Sequence, residues 1–429
     1  MRFDLIHPAD QIVMLMKRIY EGGMTTTSGG NLSVRDANGD IWITPGSIDK
    51  GSLTRRDILC VKPDGTVIGP HNPSVELPFH KKVYETRPDA GAVLHAHPPG
   101  LVAFSIVGCI PDTRILPNAY NVCGQVGFAP YDIPGSPALG NKIAEKLRGG
   151  SNIVVLENHG AVALGDDLFQ AFMRFETLEY CARLQINALR LGNCVSLTPE
   201  ELSISEWKSD VCMESFHPGG HTSLEKEGRR EMCELIHRAY DRQLFTSTQG
   251  TFSMRLPDDS FLITPHGLDR KYLEPGDIVL VKDGRCEQGK TPSRSVLLHR
   301  DIYRAHNGIN AVIIANPPHI MAYGVAGARF DSRTIPESYI MLRDVSVLPF
   351  GINIAMHDKI IQTVSASAPL VMTQNDSLLV TGPSLLKVYD SLEVAEFSAR
   401  ALLAAAALGA VKPIGQKEID DIKAAFSLE

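Results

Sequence analysis

Residues 92–108 of the chain read AVLHAHPPGLVAFSIVG, and residues 311–327 read AVIIANPPHIMAYGVAG. The offset is 219 residues, and other segments repeat at nearly the same spacing. TSGGNLSVR (27–35) returns as STQGTFSMR (247–255), and WITPGSIDKGSLTRRDIL (42–59) as LITPHGLDRKYLEPGDIV (262–279). DTRILPNAY (112–120) returns as DSRTIPESY (331–339), and VVLENHGAVALG (154–165) as VMTQNDSLLVTG (371–382). A common order at offsets of 217–220 residues is the mark of a duplicated domain, since that period is far too long for a solenoid unit. Each half is long enough to bury a core of its own. The expected division is a first domain at 1–205, a linker at 206–222 that loses periodicity and carries Pro-Gly-Gly, and a second domain at 223–429.

The coarse pattern is α/β. Ile12, Val13, Met16 and Ile19 follow helical spacing across 8–21, and Gly22-Gly23 can end that helix. Short β-like runs follow, and the Asp64-Gly65 pair between VKP and TVIG predicts a hairpin. AVLHAH and NIVVLEN read as strands, and 76–86 and 167–191 as helices. Each domain is therefore expected to hold a mainly antiparallel central sheet flanked by helices.

A net charge of −7 without a basic stripe argues against nucleic acid or an anionic membrane surface as partner. No run of 18 apolar residues predicts a membrane span. Eight scattered cysteines with no C-x-x-C pair fit reduced thiols, and hence a cytoplasmic setting.

The chemistry is concentrated in the first copy. His95 and His97 stand one residue apart at the end of an apolar strand, so both imidazoles share a face. His159 ends a second apolar strand, and Glu76 opens a helix. Three imidazoles and a carboxylate suit a divalent metal such as Zn²⁺. An H-x-H pair alone is more often structural, but the repeat adds weight. The three histidines become Ile314, Asn316 and Asp376 in the second copy, and Glu76 becomes Ser295, while the framework persists. His80 has a histidine counterpart, His299, and is read as structural.

Taken in order, SGGNLS, ITPGS, PSVE, HAHP and ENHG resemble the class II aldolase/adducin-like family, the family of L-fuculose-1-phosphate aldolase. The resemblance covers 8–202 and, in degenerate form, 229–429. It implies two class II aldolase-like domains, with Zn²⁺ or another divalent transition metal on His95, His97 and His159 and with Glu76 as the acid/base. It further implies an aldolase or lyase cleaving a C–C bond of a small sugar or sugar phosphate through a metal-stabilised enediolate. A decarboxylase or epimerase of a sugar-acid phosphate would use the same site, and an adducin-type binding protein would use none of it. Retention of Glu76 with all three histidines argues against the last. By the resemblance the substrate phosphate would be cradled by Ser28, Gly30, Asn31, Thr44, Gly46, Ser47 and Ser74, where backbone N–H groups and hydroxyls make an anion nest. The alternative for the Ser28–Asn31 segment is a plain tight turn. The chain departs from the family in the order Gly46-Ser47 and in Val75, which replaces a serine. Tyr120 is the candidate proton donor to the leaving aldehyde, and Tyr339 is its repeat counterpart. Relatives form four-fold rings, which implies a homodimer of this duplicated chain with pseudo-four-fold symmetry and with Tyr339 or Arg343 offered to a neighbouring site.

Because the second copy lacks all three imidazoles, purified protein is expected to hold one tightly bound divalent ion per chain. Elemental analysis checks this, and a second equivalent bound by the second copy would refute it.

Overall fold

Eight short runs of the first copy become strands: β1 (Asn31–Arg35), β2 (Ile41–Ile43), β3 (Leu59–Val61), β4 (Val67–Ile68), β5 (Ala92–Ala96), β6 (Val126–Ala129), β7 (Ile153–Leu156) and β8 (Gly160–Gly165). They form one sheet in the order β4-β3-β2-β1-β5-β8-β7-β6. Every neighbouring pair is antiparallel except β6 with β7. The Asp64-Gly65 hairpin forms as expected, with Val61 opposite Val67 and Gly65 at φ +91°. The computed structural model describes residues 3–206, 211–352, 356–365 and 367–428. Residues 207–210 of the expected linker lie outside the described residues.

The second copy repeats this topology. Its strands are β9 (Ser215–Phe216), β10 (Thr251–Arg255), β11 (Phe261–Ile263), β12 (Val279–Lys282), β13 (Arg285–Glu287), β14 (Ala311–Ala315), β15 (Ser346–Leu348), β16 (Leu370–Thr373) and β17 (Ser377–Gly382). The order β15-β16-β17-β14-β10-β11-β12-β13-β9 is the first sheet read from its other end, with β9 added at the edge. That strand comes from the segment expected to be a linker. It runs parallel to β13, and Cys286 N donates to Glu214 O at 2.9 Å. Pro218-Gly219-Gly220 follows this strand without stopping Ser215 and Phe216 from pairing. Helix Ser223–Asp241 is capped by the Thr222 hydroxyl, which accepts from Glu225 N. Spatially the chain groups into two compact units, Met1–Thr113 with Asn118–Arg183, and Arg114–Pro117 with Leu184–Glu429. This division falls inside the long helix Leu168–Arg190.

In the first unit helix Pro8–Glu21 packs on β1 and β2, burying Ile12, Leu15, Met16 and Ile19. Helices Leu77–Thr86 and Pro137–Arg148 pack on each other, and Phe79, Val83, Leu139 and Ile143 join Val93, Val154 and Val162 in one core. β5 is buried along its whole length, which explains why every residue of it but His95 is apolar rather than alternating with polar ones. In the second unit Val296, Leu298 and Ile302 of helix Val296–Ala305 meet Val312, Val371 and Leu379 in the same way. No described helix is long and apolar enough to cross a membrane, and all eight cysteines are free thiols.

One polar cluster is built identically into both cores. Ser33 Oγ lies 2.7 Å from His80 Nδ1 and 2.8 Å from the Tyr84 hydroxyl, with the Arg35 guanidinium over the Tyr84 ring. Ser253, His299, Tyr303 and Arg255 repeat it. This supports the structural reading of His80. Burial drives both imidazoles down to a pKa of about 3. An unfolded histidine titrates near 6.5, so the folded value is the depressed one. Stability is then full above about pH 6.5 and is lost as pH falls from there toward 3, because only the unfolded chain takes up these protons. Each histidine adds up to about 1.4 kcal/mol per pH unit to that slope. Urea midpoints between pH 7 and pH 4 should fall steeply in wild type and less steeply in His299→Gln.

Candidate active site

The site is assembled at the end of β5. His95 is the fourth residue of that strand and faces Asn31 of β1 directly, while His97 lies just beyond the strand end. His159 sits in the three-residue turn between β7 and β8, where Asn158 takes φ +53°. Asparagine tolerates that left-handed conformation better than most residues do. Glu76 occupies the N-cap position of helix Leu77–Thr86, and its backbone N donates to Ser74 Oγ at 3.3 Å.

These four residues converge. One ring nitrogen from each of His95, His97 and His159 lies within 4.8 Å of the other two, a grouping capable of holding a metal ion. His95 Nε2 and His97 Nε2 are 2.9 Å apart. Nitrogens on a tetrahedral zinc at about 2.0–2.1 Å stand about 3.4 Å apart, so small movements would close the set. The Glu76 carboxylate reaches 3.3 Å from His95 Nε2 and 3.7 Å from His159 Nε2.

The protonation pattern suits ligation. His95 Nδ1 lies 3.0 Å from Ala161 O, and a carbonyl only accepts, so the proton sits on Nδ1 and the Nε2 lone pair faces the cluster. Burial first, and then the neighbouring His159, hold the His95 pKa down at about 3. Burial first, and then His95, lower His97 to about 4. Burial lowers His159 as well. All three are therefore neutral imidazoles near neutral pH. Two buried atoms here, Glu76 Oε1 and His159 Nδ1, have no hydrogen-bond partner. An unpaired carboxylate oxygen among neutral imidazoles is what a site designed around a cation or a substrate would leave open.

Two residues not singled out from sequence hold this geometry. A Cβ at Gly160 would lie 2.5 Å from Ala96 O and 2.7 Å from His97 Cδ2, so only glycine lets the His159 turn approach. The repeat carries the signal: Ser377 replaces Gly160 where Asn316 replaces His97. Asn316 donates there to Asp376 O, and Ser377 Oγ donates to Asp376 Oδ2 at 3.0 Å. The buried Glu179 carboxylate accepts from Gly100 N and Leu101 N, fixing the chain as it leaves His97. Glu396 does the same for His319 N and Ile320 N. The readable clue was a charged pattern kept at one register on both helices, Glu176, Glu179 and Arg183 in the first copy and Glu393, Glu396 and Arg400 in the second.

The segments expected to cradle an anion are tied together by the backbone. Pro45 bridges Pro73, Gly46 N donates to Asn72 O, and Ser74 N donates to Thr44 O. Lys50 N donates to Thr27 O, and its buried ammonium donates to Pro45 O at 2.7 Å and Ile48 O at 3.3 Å. Burial lowers the Lys50 pKa. Arg270 is its buried counterpart, bonded to the Gln249, Gly250 and Leu268 carbonyls. Of the candidates, Ser28 and Ser47 are exposed, Gly30 takes φ +73° and Ser47 φ +55°. Thr44 is wholly buried with its hydroxyl accepting from Leu32 N. Asn31 spends its amide on Glu76 and His80. Tyr120 is 42% exposed on helix Pro117–Cys123, and Tyr339 is 9% exposed with its ring under Arg343. Among the described residues no hydrogen bond or ring contact links Tyr120 to the imidazoles.

Comparison with known proteins gives a consistent answer. The model of the class II aldolase and adducin N-terminal domain matches residues 10–186 and again 230–403. An L-fuculose phosphate aldolase of Methanococcus maripaludis is 32% identical over 177 residues, which is 41% of this chain and 93% of that protein. A 3-oxo-tetronate 4-phosphate decarboxylase of Haemophilus influenzae is 33% identical over 177 residues, 40% of this chain and 84% of that protein. A solved L-fuculose 1-phosphate aldolase is 31% identical, covering 47% of this chain and 96% of its own, with a TM-score of 0.42. With its imidazole cluster in one copy and the family's domain in both, the chain belongs to the class II aldolase and adducin N-terminal family as a tandem duplication, and it is an enzyme of class II aldolase type.

Proposed function

We propose that residues 1–205 carry a divalent-metal-dependent lyase that cleaves a C–C bond in a small phosphorylated sugar. The observation behind this is the Glu76 carboxylate, buried among three neutral imidazoles with Oε1 unpaired. His95, His97 and His159 would hold the cation, and zinc suits three nitrogen donors with an open position. When bound, the ion supplies Lewis-acid charge to the substrate's carbonyl and hydroxyl oxygens. Glu76 Oε1 takes or returns the proton at the reacting centre. The tied turns at 28–31, 44–47 and 73–74 hold the phosphate through the exposed hydroxyls of Ser28 and Ser47 and through backbone N–H groups other than those of Gly46 and Ser74, which are spent on the ties. Gly160 and Glu179 keep the imidazoles converged.

A second reading, decarboxylation of a keto-acid phosphate, draws on the similar identity to the Haemophilus influenzae decarboxylase. Both reactions need the same charge stabilisation and the same proton relay. Assaying L-fuculose phosphate for aldehyde release and 3-oxo-tetronate 4-phosphate for CO₂ release separates them. Turnover of neither would refute the proposal.

We also propose that two chains associate as a pseudo-four-fold dimer. Of the two tyrosines, Tyr120 is the better placed by exposure to serve as a proton donor in such an assembly. Solution mass should correspond to a pair of chains or a multiple of it.

Glu76→Gln should keep fold and metal while lowering turnover by about 10²–10⁴-fold. His97→Ala should lose metal and activity together, because two imidazoles hold zinc poorly. Metal analysis beside the rate measurement distinguishes the two variants.

A further inference from the structure

The Glu76 carboxylate has one free oxygen and one that is held. Oε2 accepts from Asn31 Nδ2 at 2.6 Å. The other end of that amide, Oδ1, lies 2.5 Å from His80 Nε2. His80 Nδ1 lies 2.7 Å from Ser33 Oγ, which lies 2.8 Å from the Tyr84 hydroxyl. Chemistry fixes the direction of every link. A carboxylate only accepts, so Asn31 must present its NH₂ to Glu76 and its carbonyl to His80. A carbonyl only accepts, so the His80 proton is on Nε2. Nδ1 then accepts from Ser33, and Tyr84 donates to Ser33. All five groups are buried, with Asn31 3% and His80 0% exposed.

The second copy provides the control. It keeps Ser253, His299 and Tyr303 in the same contacts, but has Thr251 for Asn31 and Ser295 for Glu76. Thr251 Oγ1 turns to Ser293 Oγ at 2.8 Å, and His299 Nε2 is left buried with no partner. The tyrosine–serine–histidine part therefore serves the framework in both copies. Only the asparagine accompanies the carboxylate.

We propose that Asn31 is the positioning residue for Glu76, and that His80 sets the orientation of the Asn31 amide. Asn31 holds Oε2 so that Oε1 alone faces the reacting centre, and His80 prevents the amide from turning its carbonyl toward the carboxylate. This departs from the expectation that Asn31 belongs to the phosphate cradle. It rests on the reading of Glu76 as the acid/base.

Asn31→Thr is the variant of choice, since the second copy already folds with threonine at that place. Measured on metal-loaded full-length protein with the substrate that wild type turns over, it should keep metal content and thermal midpoint. Its kcat should fall roughly 10- to 100-fold with KM nearly unchanged, the cost of a misplaced reacting group. His80→Gln, whose amide can still donate to Asn31, should retain more kcat than His80→Leu at equal metal content. An unchanged kcat in Asn31→Thr would overturn the proposal, as would a raised KM with kcat intact, which would return Asn31 to the phosphate site. A substrate-free arm compares crystal structures. In Asn31→Thr the carboxylate should leave its position 3.3 Å from His95 Nε2, and a carboxylate that stays would overturn the proposal. If wild type turns over neither test substrate but the carboxylate moves, the assigned reaction fails and the positioning role stands.

Discussion

Across the β1–β5 ladder Asn31 faces His95, and the placement of Glu76 at the site depends on that pairing. It brings a side-chain amide from one strand beside an imidazole from the next, and Glu76 bonds to the first while approaching the second. A slip of one residue would turn His95 to the other face of the sheet and bring an apolar residue in its place. The apolar residues of β5, buried on both faces, oppose such a slip. The glutamate that caps the following helix then pins the exit from the strand.

The duplication allows parts to be compared within one molecule. Where His97 gives way to Asn316, the glycine that made room for its ring gives way to Ser377, and the emptied space closes with hydrogen bonds of its own. Lys50 and Arg270 differ in chemistry but clip equivalent turns through backbone carbonyls. Sheet topology, the glutamate contacts to the helix after the central strand and the serine–histidine–tyrosine cluster survive the loss of the imidazoles, so the fold does not depend on the metal chemistry.

Much of this was legible in the sequence because the repeat separated framework from chemistry. The strands, the Asp64-Gly65 hairpin, the long helices and the imidazole trio all follow from local pattern and register. Other features depend on tertiary contact and were not legible. Helix Pro99–Ile106 lacked a distinctive local signal beside the motifs around it, whereas Pro137–Arg148 carried one in its Ser136 cap, Pro137 at the first position and Leu139, Ile143 and Leu147 at helical spacing. The engagement of Asn31 with Glu76 joins residues 45 apart, and no periodicity reports it. The burial of Thr44 follows from the turn folding inward, although a threonine there reads equally well as a ligand contact.

The strand drawn from between the copies changes what the junction is. Had residues 211–222 been an idle tether, the two halves could in principle be separated again into independent proteins. Because Ser215 and Phe216 hydrogen-bond along β13, the second sheet has incorporated the connector, and a cut upstream of Ser223 would expose an edge that is now covered. The half without imidazoles therefore holds a structural part that comes from the connector and has no counterpart in the first sheet.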